Sequence, residues 1–252
     1  MKIGIFVDAE NITRSGGYAM RYDVLKEYCS RYNEPLRLNT YLTVDVERSK
    51  ADKEYREKHM TYLSILRSFG YKVITKAIKW FEDENGTRYG KANADLDMAV
   101  DILTQSQNLD KVYLLTGDGD FTRVVQAVQN MGARVELIAF RYISRELLHE
   151  VDQFTSGYLI PNLLSVEGQK PEDWGKDGFR VRGVCYSVHE GFGFLRVYNR
   201  DCSGTFEVFF HFSELPEGHF VNPEDVFEFT LIDAERGLVA KEMDVLYKKI
   251  GY

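Results

Sequence analysis

Ile3-Gly4-Ile5-Phe6-Val7-Asp8 decides the fold. Its unbroken apolar run reads as a strand buried on both faces, the kind found in parallel sheets covered by helices. The run ends on a carboxylate and continues into Ala9-Glu10-Asn11. Open α/β sheets bind their ligands at the C-terminal ends of the strands. A carboxylate delivered there by a buried strand is costly unless it is hydrogen-bonded, paired or bound to metal. Asp8 is therefore the first candidate site residue. The arrangement recurs where Val112-Tyr113-Leu114-Leu115-Thr116 runs into Gly117-Asp118-Gly119-Asp120. Two buried strands that bring aspartates to one sheet edge point to a divalent-cation site.

Around these two runs the chain alternates strands and helices. Strands are expected at 2–8, 36–44, 72–81, 111–116 and 134–140, and helices at 22–31, 50–69, 94–106, 121–131 and 144–151. This alternation predicts an α/β domain over residues 1–164, with a mostly parallel sheet flanked by helices. Residues 165–178 contain Gly168-Gln169-Lys170-Pro171 and Trp174-Gly175-Lys176-Asp177-Gly178 and read as a linker. Five short strand-like segments follow, at 179–188, 191–198, 206–212, 226–233 and 237–243. They predict a second domain over 179–252, a small five-stranded β-barrel.

Hydrophobic residues make up 44% and charged residues 28% of the 252, an ordinary soluble composition. The formal net charge of −7 argues against gripping nucleic acid by bulk electrostatics. The cysteines at 29, 185 and 202 are odd in number and lack zinc-ligand spacing, so reduced thiols in a cytoplasmic protein are expected. The N-terminus does not have the pattern of a signal peptide. No apolar stretch approaches the roughly 20 residues a membrane span needs, so no membrane partner is expected.

On a helical wheel of residues 94–106, Leu96, Ala99, Val100, Ile102 and Leu103 fall on one side, with Asp97 and Asp101 opposite. Asp95 falls among the apolar positions. Either it points into the sheet-edge cleft, or it complements the helix dipole behind an Asn93 cap. Asp120 has a parallel ambiguity, as a cation ligand or as the N-cap of the next helix, whereas Asp118 has less use as a cap. Carboxylates without a matching His or Cys cluster favour a hard cation, Mg²⁺ or Mn²⁺. Phosphodiester hydrolysis is the natural chemistry of such a cation beside a phosphate.

Val7-Asp8-Ala9-Glu10-Asn11-Ile12, Lys91-Ala92-Asn93-Ala94-Asp95-Leu96 and Leu115-Thr116-Gly117-Asp118-Gly119-Asp120-Phe121 resemble the three signatures of NYN domains, members of the PIN-like nuclease superfamily. The resemblance spans roughly residues 1–160. It implies a Mg²⁺- or Mn²⁺-dependent ribonuclease in which Asp8, Asp95, Asp118 and Asp120 are the acidic ligands. It further implies that Asn11 supports the site by hydrogen bonding, Lys91 contacts phosphate and Thr116 braces the loop. Asp101 also fits the family pattern, as a supporting residue.

In the C-terminal part, Gly191-Phe192-Gly193-Phe194-Leu195 precedes Val208-Phe209-Phe210-His211-Phe212-Ser213. Alternate strand residues share a face. Phe192, Phe194, Phe209 and His211 would form one aromatic platform if the two strands are neighbours. Bases stack on such platforms. The alternative is a barrel filling its interior with Phe, which must hold for one of the two faces. The segment resembles a cold-shock domain over about 179–245, and the resemblance implies that the five-stranded barrel is of the OB type. It departs from that pattern at Glu190, where a basic residue is usual, and near Cys185 and Tyr186, where a tryptophan is usual. Eight Lys and Arg face twelve Asp and Glu over residues 179–252.

Together these readings predict a metal-dependent endoribonuclease acting on single-stranded RNA, with the barrel presenting the strand. The alternatives are a non-catalytic RNA-binding regulator, a protein-docking module and a nuclease acting on DNA.

Overall fold

The computed structural model describes residues 1–31, 33–92 and 94–248. The chain divides into two compact units, 1–18 with 25–155, and 19–24 with 156–252.

The first unit is built on strands β1 (Ile3–Asp8), β2 (Pro35–Val44), β3 (Lys72–Ala77), β6 (Lys111–Leu115) and β7 (Arg134–Ala139). Their order is β3-β2-β1-β6-β7, and all four pairings are parallel. Strand β8 (Gln153–Ser156) continues the sheet beyond β7. Every residue of β1 and β6 is buried, as the apolar runs require. The helices of this unit are α1 (Ala9–Ile12), α3 (Val46–Ala51), α4 (Lys53–Ser68), α5 (Ala94–Gln105), α6 (Thr122–Asn130) and α7 (Arg145–Glu150). Helix α2 (Tyr22–Cys29) spans the boundary at residue 24. Met98 and Ile102 of α5 and Val125 and Val128 of α6 join Phe6, Val112 and Leu114 in one core on one face of the sheet.

Three expectations are corrected. The helix read at 50–69 is two helices, α3 and α4, because Asp52 takes an extended conformation and its carboxylate accepts the Tyr55 N–H at 2.9 Å, capping α4. The strand read at 72–81 ends at Ala77. Residues 79–82 (β4) instead pair antiparallel with 88–91 (β5), around a tip in which Gly86 has φ +75°. The wheel of α5 is rotated from the one expected. Leu96 and Val100 are 62% and 52% exposed. Asp97 instead pairs with Lys76 at 2.8 Å, and Asp101 accepts the Tyr41 hydroxyl at 2.9 Å.

The second unit closes into a five-stranded barrel, ordered β10-β11-β13-β12-β9, where β9 is Arg180–Val188, β10 Phe192–Tyr198, β11 Thr205–His211, β12 Val226–Ala234 and β13 Gly237–Tyr247. Closure removes the exposed edges an open sheet would carry. Val181, Leu195, Val197, Val208, Phe210, Phe227, Phe229 and Leu231 fill the interior. Trp174 joins them at 5% exposure and donates its indole N–H to the Tyr198 carbonyl at 2.9 Å. The segment read as a linker thus ends as part of the barrel. Gly178 also donates to the Leu231 carbonyl at 2.8 Å.

Among the described residues no helix is long and apolar enough to cross a membrane. Among the described residues, Cys29, Cys185 and Cys202 form no disulfide.

Candidate functional site

A cavity of about 530 Å³ opens at the C-terminal edge of the sheet. Asp8, Glu10, Asn11, Asp95 and Asp118 line it, together with Tyr41 and Thr43 from β2. The topology explains the gathering. β1 and β6 are neighbours with the same direction, so the residues that leave their ends emerge side by side.

Asp8 ends β1 at 7% exposure. One carboxylate oxygen accepts the Asn11 N–H at 3.0 Å and the other accepts the Thr116 hydroxyl at 3.1 Å. Burial pushes its pKa up to about 6. The two hydrogen bonds pull it down, and the charges of Asp95 and Glu10 push it further up. Thr116, fully buried, also accepts the Asp118 N–H at 3.2 Å, so a single hydroxyl fixes both acids. Asn11 accepts the Gly117 N–H at 2.8 Å and so ties the loop after β1 to the loop after β6.

Asp118 caps the turn at Gly119–Phe121 by accepting the Asp120 N–H at 3.0 Å. This reverses the expected division of labour. Asp118 is the capping residue, while Asp120 is exposed and stands off the cavity. The charge of Asp120 helps raise the Asp95 carboxyl. Neither Gly117 nor Gly119 has a positive φ. They are needed for space. A Cβ on Gly117 would lie 3.1 Å from the Tyr142 carbonyl oxygen, and one on Gly119 2.7 Å from the Ser144 hydroxyl.

Asp95 lies in the first turn of α5 and lines the cavity. Its pKa is raised, chiefly by burial and then by Asp118, Glu10 and Asp120. Asp101 does not line the cavity. It holds Tyr41, which does. Lys91 ends β5 opposite Lys79. The side chain of Lys91 and all of Asn93, the expected cap of α5, lie outside the described residues.

Several cavity residues were missed in the sequence. Glu10 accepts the Thr43 hydroxyl at 2.9 Å and pairs with Arg14. Its position two residues after Asp8 was the available signal. Trp80 on β4 and Tyr142 beyond β7 line the same cavity, along with Ile78 and Gly90. Every acidic or amide donor in the lining is an oxygen or amide ligand, and no His or Cys is among them. Among the described residues, no three His, Cys, Asp or Glu side chains stand as a ready-made metal cage.

On the barrel, β10 and β11 are antiparallel neighbours. Phe194 lies opposite Phe209, and His211 opposite Phe192. Phe192 stacks on Phe209 at 5.6 Å, and Phe194 meets both rings edge-on at 5.9 and 5.8 Å. His189, unanticipated, stacks on Phe192 at 4.9 Å. His211 is exposed and its ring bonds Ser213. Phe210 lies on the other face, in the core. Gly193 makes room for it, since a Cβ there would lie 2.5 Å from the Phe210 ring.

Residues 2–164 match the family model of the NYN domain. The chain belongs to the NYN domain family. Domains of this family are typically ribonuclease-like or RNA-binding. The chain is 28% identical over 160 residues to the low amplitude and bright protein LabA of Synechococcus elongatus, covering 61% of this chain and 82% of that protein. It is also similar to a protein of unknown function from Vibrio parahaemolyticus, whose crystal structure matches at TM-score 0.48 and 24% identity over 62% of this chain and 91% of that one.

Proposed function

We propose that the protein is a divalent-metal-dependent endoribonuclease that hydrolyses phosphodiester bonds of single-stranded RNA in the cytoplasm. The observation that carries this reading is Asp8. It is a buried carboxylate with its pKa raised to about 6, facing further acids across one cavity. Such a site is destabilised by its own charge, and a cation relieves it.

The residues fit a hard cation in donor type. They do not form a closed cage, which suits an ion such as Mg²⁺ that keeps waters and shares phosphate oxygens. Asp8, Asp95 and Asp118 would hold it, with Asp120 contributing charge. When bound, the ion supplies Lewis acidity and lowers the pKa of a bound water. The chain supplies the rest. Thr116 and Asn11 fix the direction of Asp8. In the cation-free state Asp8 takes up a proton as pH falls through about 6. The Phe192, Phe194 and Phe209 platform, with His189 and His211, presents unpaired bases by stacking, which does not require a basic surface.

A second reading, a non-catalytic RNA-binding protein, draws on the lack of a preformed cage among the described residues. One experiment separates the two. Labelled single-stranded RNA and DNA are incubated with the full chain in Mn²⁺, Mg²⁺ or EDTA, beside Asp8→Asn. Cleavage of RNA that needs the ion and Asp8 supports the nuclease. Binding without cleavage in either ion supports the second reading, and preference for DNA reassigns the substrate.

A further inference from the structure

Trp80 and Tyr142 stand in symmetric places. β3 lies two strands to one side of β1 and β7 two strands to the other. Trp80 follows the end of β3 by three residues, and Tyr142 follows the end of β7 by three. With strands about 4.8 Å apart, their backbones leave the sheet roughly 19 Å from each other. Asp8 ends the strand midway between them. Both residues line the cavity that holds the acids.

The Trp80 ring is held in place without a ligand, and so is the backbone that carries Tyr142. The Arg88 guanidinium packs on the Trp80 indole, 4.7 Å from its centre, and the indole N–H donates to Asp45 at 3.4 Å. Ile78 and Gly90 back the same wall, where a Cβ on Gly90 would lie 2.7 Å from Ile78. Tyr142 is 84% exposed and has φ +55°. A bulky side chain in that region is strained, and it persists only when the surroundings dictate the backbone. They do so here. The Arg141 N–H donates to the Ser15 carbonyl and the Ser144 N–H to the Gly117 carbonyl, both at 2.9 Å. The result is an exposed aromatic residue whose backbone is tied, through Ser144, to the loop that carries Asp118.

We infer that Trp80 and Tyr142 are paired base-stacking residues, one on each side of the acid cavity, that select unpaired strands and position the phosphate between them. This rests on the reading of the cavity as a phosphodiesterase site. Bases inside a duplex already stack on each other and cannot also cover these rings, so the pair favours single strands over duplexes.

The test uses the full chain with Trp80→Ala and Tyr142→Gly. The glycine removes the ring and relieves the left-handed backbone, so Tyr142→Gly folds at least as well as the parent, and Tyr142→Phe retains stacking. Cleavage of a single-stranded oligoribonucleotide in Mn²⁺ is compared with the same strand made abasic on both sides of the cleaved bond. The ring-removing variants should raise KM on the order of tenfold with kcat nearly unchanged, and Tyr142→Phe should match the parent. Both losses should vanish on the abasic strand. Equal losses on intact and abasic strands, or no loss in either variant, would overturn the inference. Affinities for the same strands in EDTA, with a DNA counterpart, provide a readout that needs no turnover. If the parent does not cleave, the nuclease reading fails, while base-dependent losses of affinity still uphold the stacking pair.

Discussion

Asn11 accepts the Gly117 N–H at 2.8 Å, and so one side chain joins the two loops that carry Asp8 and Asp118. Asn11→Ala removes the acceptor and leaves that N–H unpaired in a half-buried place. The expected cost is about 1–2 kcal/mol of stability, measured by urea unfolding. Cleavage should fall by more than the stability loss explains, because the two acids lose their common brace. Full activity with reduced stability would confine Asn11 to a structural role.

Asp8→Asn gives a pH-dependent stability difference. The folded-state pKa of Asp8 is raised from 3.8 to about 6. Its contribution to stability is therefore fully present below pH 3.8 and is lost as pH rises through about 6. The variant carries no such charge. In EDTA it should unfold near the parent's midpoint at the acid end of this window, and be more stable by about 3 kcal/mol at pH 7.5. A difference that stays constant across the window would refute the assignment. Cleavage by Asp8→Asn should be abolished at every pH.

Divalent cations should raise the melting temperature of the parent. An ion at a hundred times its dissociation constant stabilises by about 2.7 kcal/mol, several degrees for a domain of this size. Asp8→Asn and Asp118→Asn should show a much smaller rise. Equal rises in parent and variants would place the ion elsewhere. EDTA should remove both the rise and the cleavage.

Phe192→Ala combined with Phe209→Ala should weaken binding of single-stranded RNA by tenfold or more, since each stacked base contributes about 1–3 kcal/mol. Their rings lie half-buried outside the barrel core, so the melting temperature should move little. Unchanged affinity with a large drop in stability would mean that these rings act as packing.

The buried strands were the most legible part of the sequence. β1 and β6 are unbroken apolar runs, and an apolar run ending in Asp admits few readings. Asp8, Asp118 and Asn11 were legible for the same reason, since strand ends in a parallel sheet converge. The platform of Phe192, Phe194 and Phe209 followed from period-two alternation. What sequence reading missed depended on tertiary context. The wheel of α5 assumed that Leu96 and Val100 face inward. Tyr41 and Lys76 instead offer polar partners to Asp101 and Asp97, and this turns the helix. The hairpin that carries Trp80 was hidden because its strands have four residues each. Strand β8, Gln-Phe-Thr-Ser, has no apolar pattern to find. Tyr142 was invisible because nothing in a sequence marks a tyrosine forced into left-handed backbone.

Trp174 sets a lower limit on where the C-terminal half can be severed. A fragment starting at Phe179 would begin where the strands begin, yet it would lack the indole that packs into the barrel core. The hole left behind costs about as much as truncating a buried tryptophan, roughly 3–5 kcal/mol, a large share of what holds a small barrel together. Limited proteolysis should therefore spare the bonds around Trp174, and any self-sufficient barrel must carry the chain upstream of it.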